Sequence, residues 1–193
     1  NDPAVWQRVR LLRGGGATVS VLGFTRGAMP PAPEAVCLGT TRNARMVHRS
    51  FAVLRASLGS GAWRAAVQGT EVILARQLEM LLLATLARRR FAPQARLVFE
   101  CLDVHRLMLA DGAAGRALRQ LEGALLDRSD QLLVSSPAFV EAYFARVHAA
   151  LPPVRLVENR VLASELAMPA AIARPPGRPW RIGWFGVIRC RAS

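Results

Sequence analysis

Apolar and polar residues follow two alternating periods along the central part of the chain. Short apolar runs of strand length begin at residues 71 ("EVILA"), 96 ("RLVFECLD"), 131 ("QLLVSS") and 153 ("PVRLVEN"). Between them lie longer stretches in which apolar residues recur every three or four positions, as on one face of a helix. Because strands alternating with amphipathic helices build parallel βαβ units, the pattern predicts an α/β fold, a doubly wound Rossmann-like parallel sheet.

The N-terminal third of the chain has a less regular pattern. "DPAVWQRVRLLRGGG" predicts a helix that its glycines end, "TVSVLGF" predicts a strand, and residues 43–58 predict a further helix. The three glycines follow a helix and precede a strand, which is the reverse of the order in a phosphate-binding loop. We expect residues 1–160 to form one parallel-sheet layer with helices on both faces.

The C-terminal part of the chain predicts a domain boundary. Residues 166–180 are rich in proline and predict a linker, and the apolar run at 181–185 before Gly186 predicts the first strand of another unit. We therefore expect a domain over 1–165 that lacks its first strand, and the truncated start of a second domain over 181–193. This interpretation makes the chain a fragment of a longer protein.

Charge and composition narrow the classes of partner. All 26 basic residues are arginine, and the net charge of +13 favours anionic partners such as phosphorylated ligands or acidic lipids. The arginines are spread over all helices and are not interleaved with aromatic residues, which counts against a specific nucleic-acid surface. We expect a cytoplasmic protein that is attached peripherally to the inner face of the membrane.

Several classes of catalyst are excluded by the residues that the chain lacks. Without lysine there is no Walker-type phosphate loop, kinase lysine or Schiff base, and the GxSxG and HExxH motifs are absent too. Three widely spaced cysteines, with no CxxC pair, predict free buried thiols in a reducing compartment and neither a disulfide framework nor a zinc site. His48 and His148 have no acidic residue at suggestive spacing, so both are interpreted as surface or helix-end residues.

Polar residues follow the predicted strands at the edge where open parallel sheets bind ligands. As candidate substrate-binding residues we take Arg76, Glu79, Arg106, Ser135, Ser136 and Asn159. Asp103 and His105 are the candidate catalytic pair, because a carboxylate close to an imidazole suits general-base chemistry or an oriented histidine. A structural alternative stays open for each: Asp103 as a cap beside a packed or solvated histidine, and Ser135-Ser136-Pro137 as the start of a helix.

The combination of segments resembles a known enzyme family. "DPAVWQRVRLLRGGGATVSVLGFTR", "VILARQLEMLLLATLARRRF", "LVFECLDVHRLM", "QLLVSSPAFVEAYF", "VRLVEN" and "WRIGWFGVIRCR" together resemble family 4 retaining glycosyltransferases of the GT-B fold. They are most similar to bacterial enzymes of exopolysaccharide or other surface-glycan assembly. The resemblance implies two Rossmann-like domains across a cleft, of which the N-terminal one binds the acceptor and the C-terminal one the nucleotide-sugar donor.

The resemblance also implies residue roles and a reaction. Gly186 and Arg189 would lie at the donor phosphates, and a sugar would pass, with retention and without a metal or other cofactor, to a saccharide or lipid-linked saccharide acceptor. The paired glutamates with which the family holds its donor are absent, so the fragment alone is expected to be inactive. The alternative is a non-catalytic Rossmann-like module that binds a nucleotide or phosphate ligand.

Overall fold

The computed structural model describes residues 3–26, 34–41 and 61–158. The predicted helix at 43–58, Asn159, the linker at 166–180 and the segment with Gly186 and Arg189 lie outside the described residues. The chain divides into two units, Asn1–Arg160 and Val161–Ser193. All elements described below belong to the first unit, and the predicted limits of the domains stay predictions.

Strands and helices alternate along this unit. In chain order they are α1 (Pro3–Gly14), β1 (Val21–Arg26), β2 (Ala35–Thr41), α2 (Gly61–Val67), β3 (Val72–Arg76), α3 (Leu78–Phe91), β4 (Arg96–Cys101), a 3₁₀ turn (Arg106–Leu109), α4 (Ala113–Leu126), β5 (Gln131–Val134), α5 (residues 137–147) and β6 (Val154–Leu156). The central part of α5, Val140–Phe144, is a π-helical turn between two short α-helical pieces. The four strands predicted from residue 71 onward are confirmed.

The core of the fold is a four-stranded parallel sheet in the order β3-β4-β5-β6. Val72 pairs with Arg96, Val98 with Gln131, and Leu132 with Val154. Each strand is added on the same side of the last, so right-handed crossovers place α3, α4 and α5 on one face. Phe99 and Cys101 of β4 pack there against apolar residues of these three helices, including Leu81, Ala84, Leu125, Tyr143 and Phe144.

The opposite face of β4 carries Val98 and Glu100, because side chains alternate between the two faces of a strand. α1 approaches this face, since Arg8 forms an ion pair with Glu100. Helices therefore flank the sheet on both sides, and the Rossmann-like α/β class predicted from the sequence is confirmed for this half-domain.

β1 and β2 form a separate two-stranded parallel sheet, in which Val21 pairs with Ala35 and Gly23 with Cys37. The prediction of one sheet layer over residues 1–160 is therefore wrong for the described strands, which form two sheets. Leu22, Phe24 and Leu38 of these strands are partly buried and pack against a second cluster around Trp63 of α2. Side-chain packing on this cluster, and not pairing with β3, therefore joins β1 and β2 to the rest of the unit.

Candidate functional site

The carboxyl ends of β3, β4 and β5 meet at one edge of the four-stranded sheet, which we call the carboxyl edge. Arg76 lies beside Glu100, and Cys101 lies beside Val134, so the three strands end almost level with one another. The chain segments that leave these strands carry the predicted site residues Arg76, Glu79, Asp103, His105, Arg106, Ser135 and Ser136. The parallel sheet thus brings all but the undescribed candidates to the same edge.

His105 and Asp103 are both exposed at this edge. His105 caps the 3₁₀ turn, where its Nδ1 accepts a hydrogen bond from the backbone N–H of Leu107 at 3.3 Å. An Nδ1 that accepts carries no proton, which leaves Nε2 as the donor of the neutral ring. The cap of this turn is therefore His105, whereas the structural alternative assigned a capping role to Asp103. The capping contact fixes the direction of the ring, which is compatible with a catalytic role. Their roles in catalysis stay a prediction.

The turn after His105 is held against α4 by a glycine. A Cβ atom at Gly115 would lie 2.2 Å from the carbonyl oxygen of Ala110 and 2.7 Å from that of Leu107. Arg119 of α4 donates hydrogen bonds to the carbonyl groups of Met108 and Ala110 at 2.7 and 2.8 Å. The first turn of α4 therefore packs directly on the loop that carries His105 and limits its movement.

Ser136 begins α5 as an N-cap, with its hydroxyl accepting from the backbone N–H of Ala138 at 3.3 Å and Pro137 in the first turn. The helix-start interpretation of this segment is confirmed. Ser135 is half-buried, while Arg106 is exposed at the start of the 3₁₀ turn. Substrate binding by these three residues stays a prediction.

Arg76 is part of a buried ionic cluster that the sequence analysis missed, which we call the Arg-Glu-Arg cluster. Glu100, with 1% of its side chain exposed, accepts from Arg76 Nε on one carboxylate oxygen at 2.5 Å. Its other oxygen accepts from Arg8 Nε at 2.9 Å and from Arg8 Nη2 at 2.5 Å. Two arginines therefore face one carboxylate, and the cluster carries a net charge of +1.

One nitrogen of the Arg-Glu-Arg cluster has no partner. Arg76 Nη1 is buried and makes no hydrogen bond to any residue that the structure describes. A buried donor left unsatisfied costs about 1–3 kcal/mol, and more when the group is charged. The neighbouring Gln77 has φ 68° and ψ 152°, a region that glycine occupies almost alone. An unpaired charged donor and a strained backbone therefore occur at consecutive positions of the carboxyl edge.

A second buried carboxylate lies on the face of the sheet that α3, α4 and α5 cover. Glu122 of α4 accepts from the hydroxyl of Tyr143 and from Nε2 of His148 on the same oxygen, each at 2.7 Å. We call these three residues the Glu-Tyr-His network. His148 lies at the end of α5, in agreement with the helix-end interpretation, but it is not a surface residue, because its side chain is 7% exposed and bonded to Glu122. A Cβ atom at Gly123 would lie 3.2 Å from the ring, so the glycine permits this close approach.

Burial changes the acidity of three groups around this network. Burial raises the pKa of the Cys101 thiol from 9.0 to about 12, so the thiol is protonated and unreactive near neutral pH. Burial, and then the hydrogen bond to Glu122, raises the pKa of Tyr143. Burial also raises the pKa of Glu122, although the hydrogen bonds from Tyr143 and His148 act in the other direction. Cys101 is free and buried, as predicted, whereas Cys37 is free but exposed, so the prediction of a buried thiol is wrong for Cys37.

A sequence signal did exist for each buried carboxylate. Glu100 interrupts the apolar run "LVFEC" inside a strand, where a charge requires a partner. Glu122 lies on α4 three residues before the inward-facing Leu125. The partners could not be found from spacing, because Arg8 and Glu100 are 92 residues apart and His148 and Glu122 are 26 apart.

The residues that the structure describes include neither a cluster of metal ligands nor a helix that could span a membrane. Within residues 3–26, 34–41 and 61–158, no group of three or more His, Cys, Asp or Glu side chains is placed to hold a metal ion. Among the helices that the structure describes, none combines the length and the apolar character of a membrane span.

Comparison with known proteins gives one informative relative. The chain is 44% identical over 202 aligned residues to the succinoglycan biosynthesis protein ExoL of Rhizobium meliloti (strain 1021). The alignment includes all of this chain and half of that protein, so the chain spans about half the length of the curated relative it matches. No family model matches the chain, and no solved structure matches it.

Proposed function

We propose that the chain is the acceptor-side half of a glycosyltransferase that assembles a bacterial exopolysaccharide of the succinoglycan type. The observation that carries the proposal is the 44% identity to a succinoglycan biosynthesis protein along the entire chain. The α/β half-domain with polar residues at the carboxyl edge supports it, because open parallel sheets bind their ligands there. This evidence favours an enzyme over a non-catalytic ligand-binding module.

The finer proposal follows the resemblance of the sequence to family 4 retaining enzymes of the GT-B fold. A nucleotide-sugar is the donor, and a saccharide or lipid-linked saccharide is the acceptor. The acceptor oxygen forms the new bond to the anomeric carbon while the bond to the diphosphate breaks, and the acceptor proton passes to the leaving phosphate. The anomeric configuration is retained, and we expect activity to survive removal of divalent metal ions.

In this proposal the residues of the carboxyl edge position and stabilise charge. His105, with a proton on Nε2 in the neutral ring, can donate to a sugar hydroxyl, and Asp103 is exposed two residues away. Ser135, Ser136, Arg106 and Glu79 are proposed to contact the acceptor, as is Asn159. Gly186 and Arg189 are proposed to bind the donor diphosphate. Holding reactants in place and stabilising a leaving anion supply much of the rate enhancement in such reactions.

A complementation experiment tests the proposed function. The full-length protein is expressed in Rhizobium meliloti that lacks ExoL, and succinoglycan is measured by its sugar composition. Restored polymer is the expected result, and full-length Asp103→Asn and His105→Ala should each restore much less at equal protein level. Soluble full-length protein that restores no polymer would contradict a shared function, and full restoration by both variants would remove the catalytic role of the pair.

The peripheral location is a separate proposal that rests on the net charge of +13. Exposed arginines near anionic lipid contribute about 1 kcal/mol each to binding. The full-length protein should therefore sediment with phosphatidylserine vesicles and dissociate as salt is raised. Equal sedimentation with neutral phosphatidylcholine vesicles, independent of salt, would contradict electrostatic attachment.

A further inference from the structure

We infer that Arg76 binds a phosphoryl oxygen of a ligand at the carboxyl edge, through the Nη1 group that the protein leaves without a partner. The inference deepens the proposed function, on which the choice of ligands below rests, since it names a chemical group and the residue that holds it. The inference rests on the composition of the Arg-Glu-Arg cluster, the burial of Glu100 and the position of Arg76 at the end of β3.

The Arg-Glu-Arg cluster has an excess of positive charge. Glu100 is almost fully buried and is shared by two guanidinium groups, so only one of the two positive charges is neutralised within the cluster. The uncompensated charge makes an anion the chemically matched partner. A neutral sugar hydroxyl could accept from Nη1, but it would leave this charge without a counterion.

The guanidinium group of Arg76 is held in one direction by Glu100. Arg76 Nε donates to Glu100, which fixes the plane of the guanidinium group. Nη1 belongs to the part of this plane that does not contact the carboxylate, and it is the buried atom without a hydrogen bond. The orientation is therefore set before a ligand arrives, and Glu100 is a positioning residue for Arg76.

The Arg76 side chain is partly exposed at the end of β3. The side chain of Arg76 is 14% exposed, so part of it reaches the surface, although Nη1 is buried. Arg76 is the last residue of β3, and the chain turns at Gln77, where the backbone adopts its strained conformation. A ligand would reach Nη1 by displacing the atoms that bury it. A planar guanidinium group suits the geometry of phosphate.

Two ligands of the proposed reaction contain phosphoryl oxygens: a nucleoside diphosphate and a lipid diphosphate. Binding of UDP, GDP and farnesyl diphosphate to the full-length protein is measured separately by calorimetry, for wild type, Arg76→Gln, Arg76→Lys and Arg89→Gln. Arg89 is the matched control, because it is exposed near the other end of α3 and the glutamine variant changes the net charge equally.

We expect Arg76→Gln to weaken at least one of these ligands by about tenfold to a hundredfold, the usual scale for a hydrogen bond to a charged group. Arg89→Gln should have no such effect. Loss for UDP or GDP assigns the phosphoryl group to the nucleotide, and loss for farnesyl diphosphate assigns it to the lipid. Arg76→Lys should lose the same ligand, since lysine keeps the charge but has a single nitrogen.

The inference is overturned if no probe binds, if none depends on Arg76, if Arg76→Lys binds like wild type, or if Arg89→Gln weakens binding as much. Urea unfolding shows whether each variant is folded, and Glu100 retains Arg8 as a partner in Arg76→Gln. Failure of this binding experiment is distinct from failure of the proposed function, because the complementation test does not depend on which residue holds a phosphate.

Discussion

Glu100 and Glu122 are both almost fully buried, but their surroundings differ. Glu100 lies on the face of β4 that α1 approaches, and its partners are two arginines, one of which keeps a buried nitrogen unpaired. Glu122 lies on the face that α3, α4 and α5 cover, and its partners are a tyrosine hydroxyl and a histidine ring. The first cluster has more donors and positive charge than its carboxylate can use, whereas in the second each polar group that faces Glu122 is paired with it.

The difference indicates how a buried polar group can be assigned a role. A network whose members satisfy one another stabilises and orients a core, and it has nothing left to offer a ligand. A cluster with an unpaired charged donor costs stability, and this donor is available to a group from outside the folded chain. By this criterion the Glu-Tyr-His network is structural, and the Arg-Glu-Arg cluster is the better candidate for binding.

The largest effect that distinguishes the two carboxylates is on stability. Glu100→Gln leaves two buried arginines without a carboxylate and should lower the free energy of unfolding by about 3–5 kcal/mol. Glu122→Gln keeps an oxygen that accepts from Tyr143 and should cost only about 1–3 kcal/mol. Urea unfolding of the two variants gives both numbers. A smaller loss in Glu100→Gln than in Glu122→Gln would show that the difference in charge between the clusters has no energetic consequence.

Alkaline pH should lower the stability of the protein through ionisable groups on the face of the sheet that holds the Glu-Tyr-His network. Because the pKa of Cys101 rises from 9.0 to about 12, the folded protein keeps a proton that the unfolded chain releases. The free energy of unfolding should therefore fall as pH rises above 9, by up to about 1.4 kcal/mol per pH unit. The raised pKa of Tyr143 should steepen the fall above pH 10.

Urea unfolding between pH 8 and 11, under reducing conditions, measures this dependence. Cys101→Ala is the control, and its stability should fall less between pH 9 and 10, although its stability at pH 8 is lower because a buried group is lost. An identical pH dependence in the wild type and in Cys101→Ala would rule out the thiol as the cause.

The smallest effect concerns the tyrosine of the Glu-Tyr-His network. Tyr143→Phe removes one donor, but Glu122 keeps His148 as a partner, so the expected loss is about 1 kcal/mol. A double-mutant cycle with Glu122→Ala, which removes the acceptor, isolates the interaction between the two side chains. Strictly additive losses would indicate that the 2.7 Å hydrogen bond contributes nothing to stability.

The sequence was sufficient for the parallel sheet but not for the contacts that define its sites. The four strands from residue 71 were predictable because apolar runs and helical periodicity are local signals, and the carboxyl edge follows from strand direction. Ser136 as a helix cap was predictable for the same reason, since its partner is two residues away.

The two buried networks were missed because their partners are distant in sequence. His148 was interpreted as a surface or helix-end residue for lack of a nearby acid, and only packing of α5 on α4 brings it to Glu122. The single sheet layer was wrong because local patterns reveal a strand but not its neighbour, and β1 and β2 pair with each other. Spacing along the chain contains no information on such contacts.

Two histidines allow the most direct test of the central claim, that the carboxyl edge is where sugar transfer takes place. The test is turnover of nucleotide-sugar by the full-length enzyme carrying His105→Ala or His148→Ala, with thermal stability measured in parallel. His105→Ala should reduce turnover by about 10²–10³, with little change in stability because the side chain is exposed. His148→Ala should lower stability and leave most turnover at a temperature where the variant is folded. Wild-type turnover in His105→Ala, together with lost turnover in folded His148→Ala, would contradict the account.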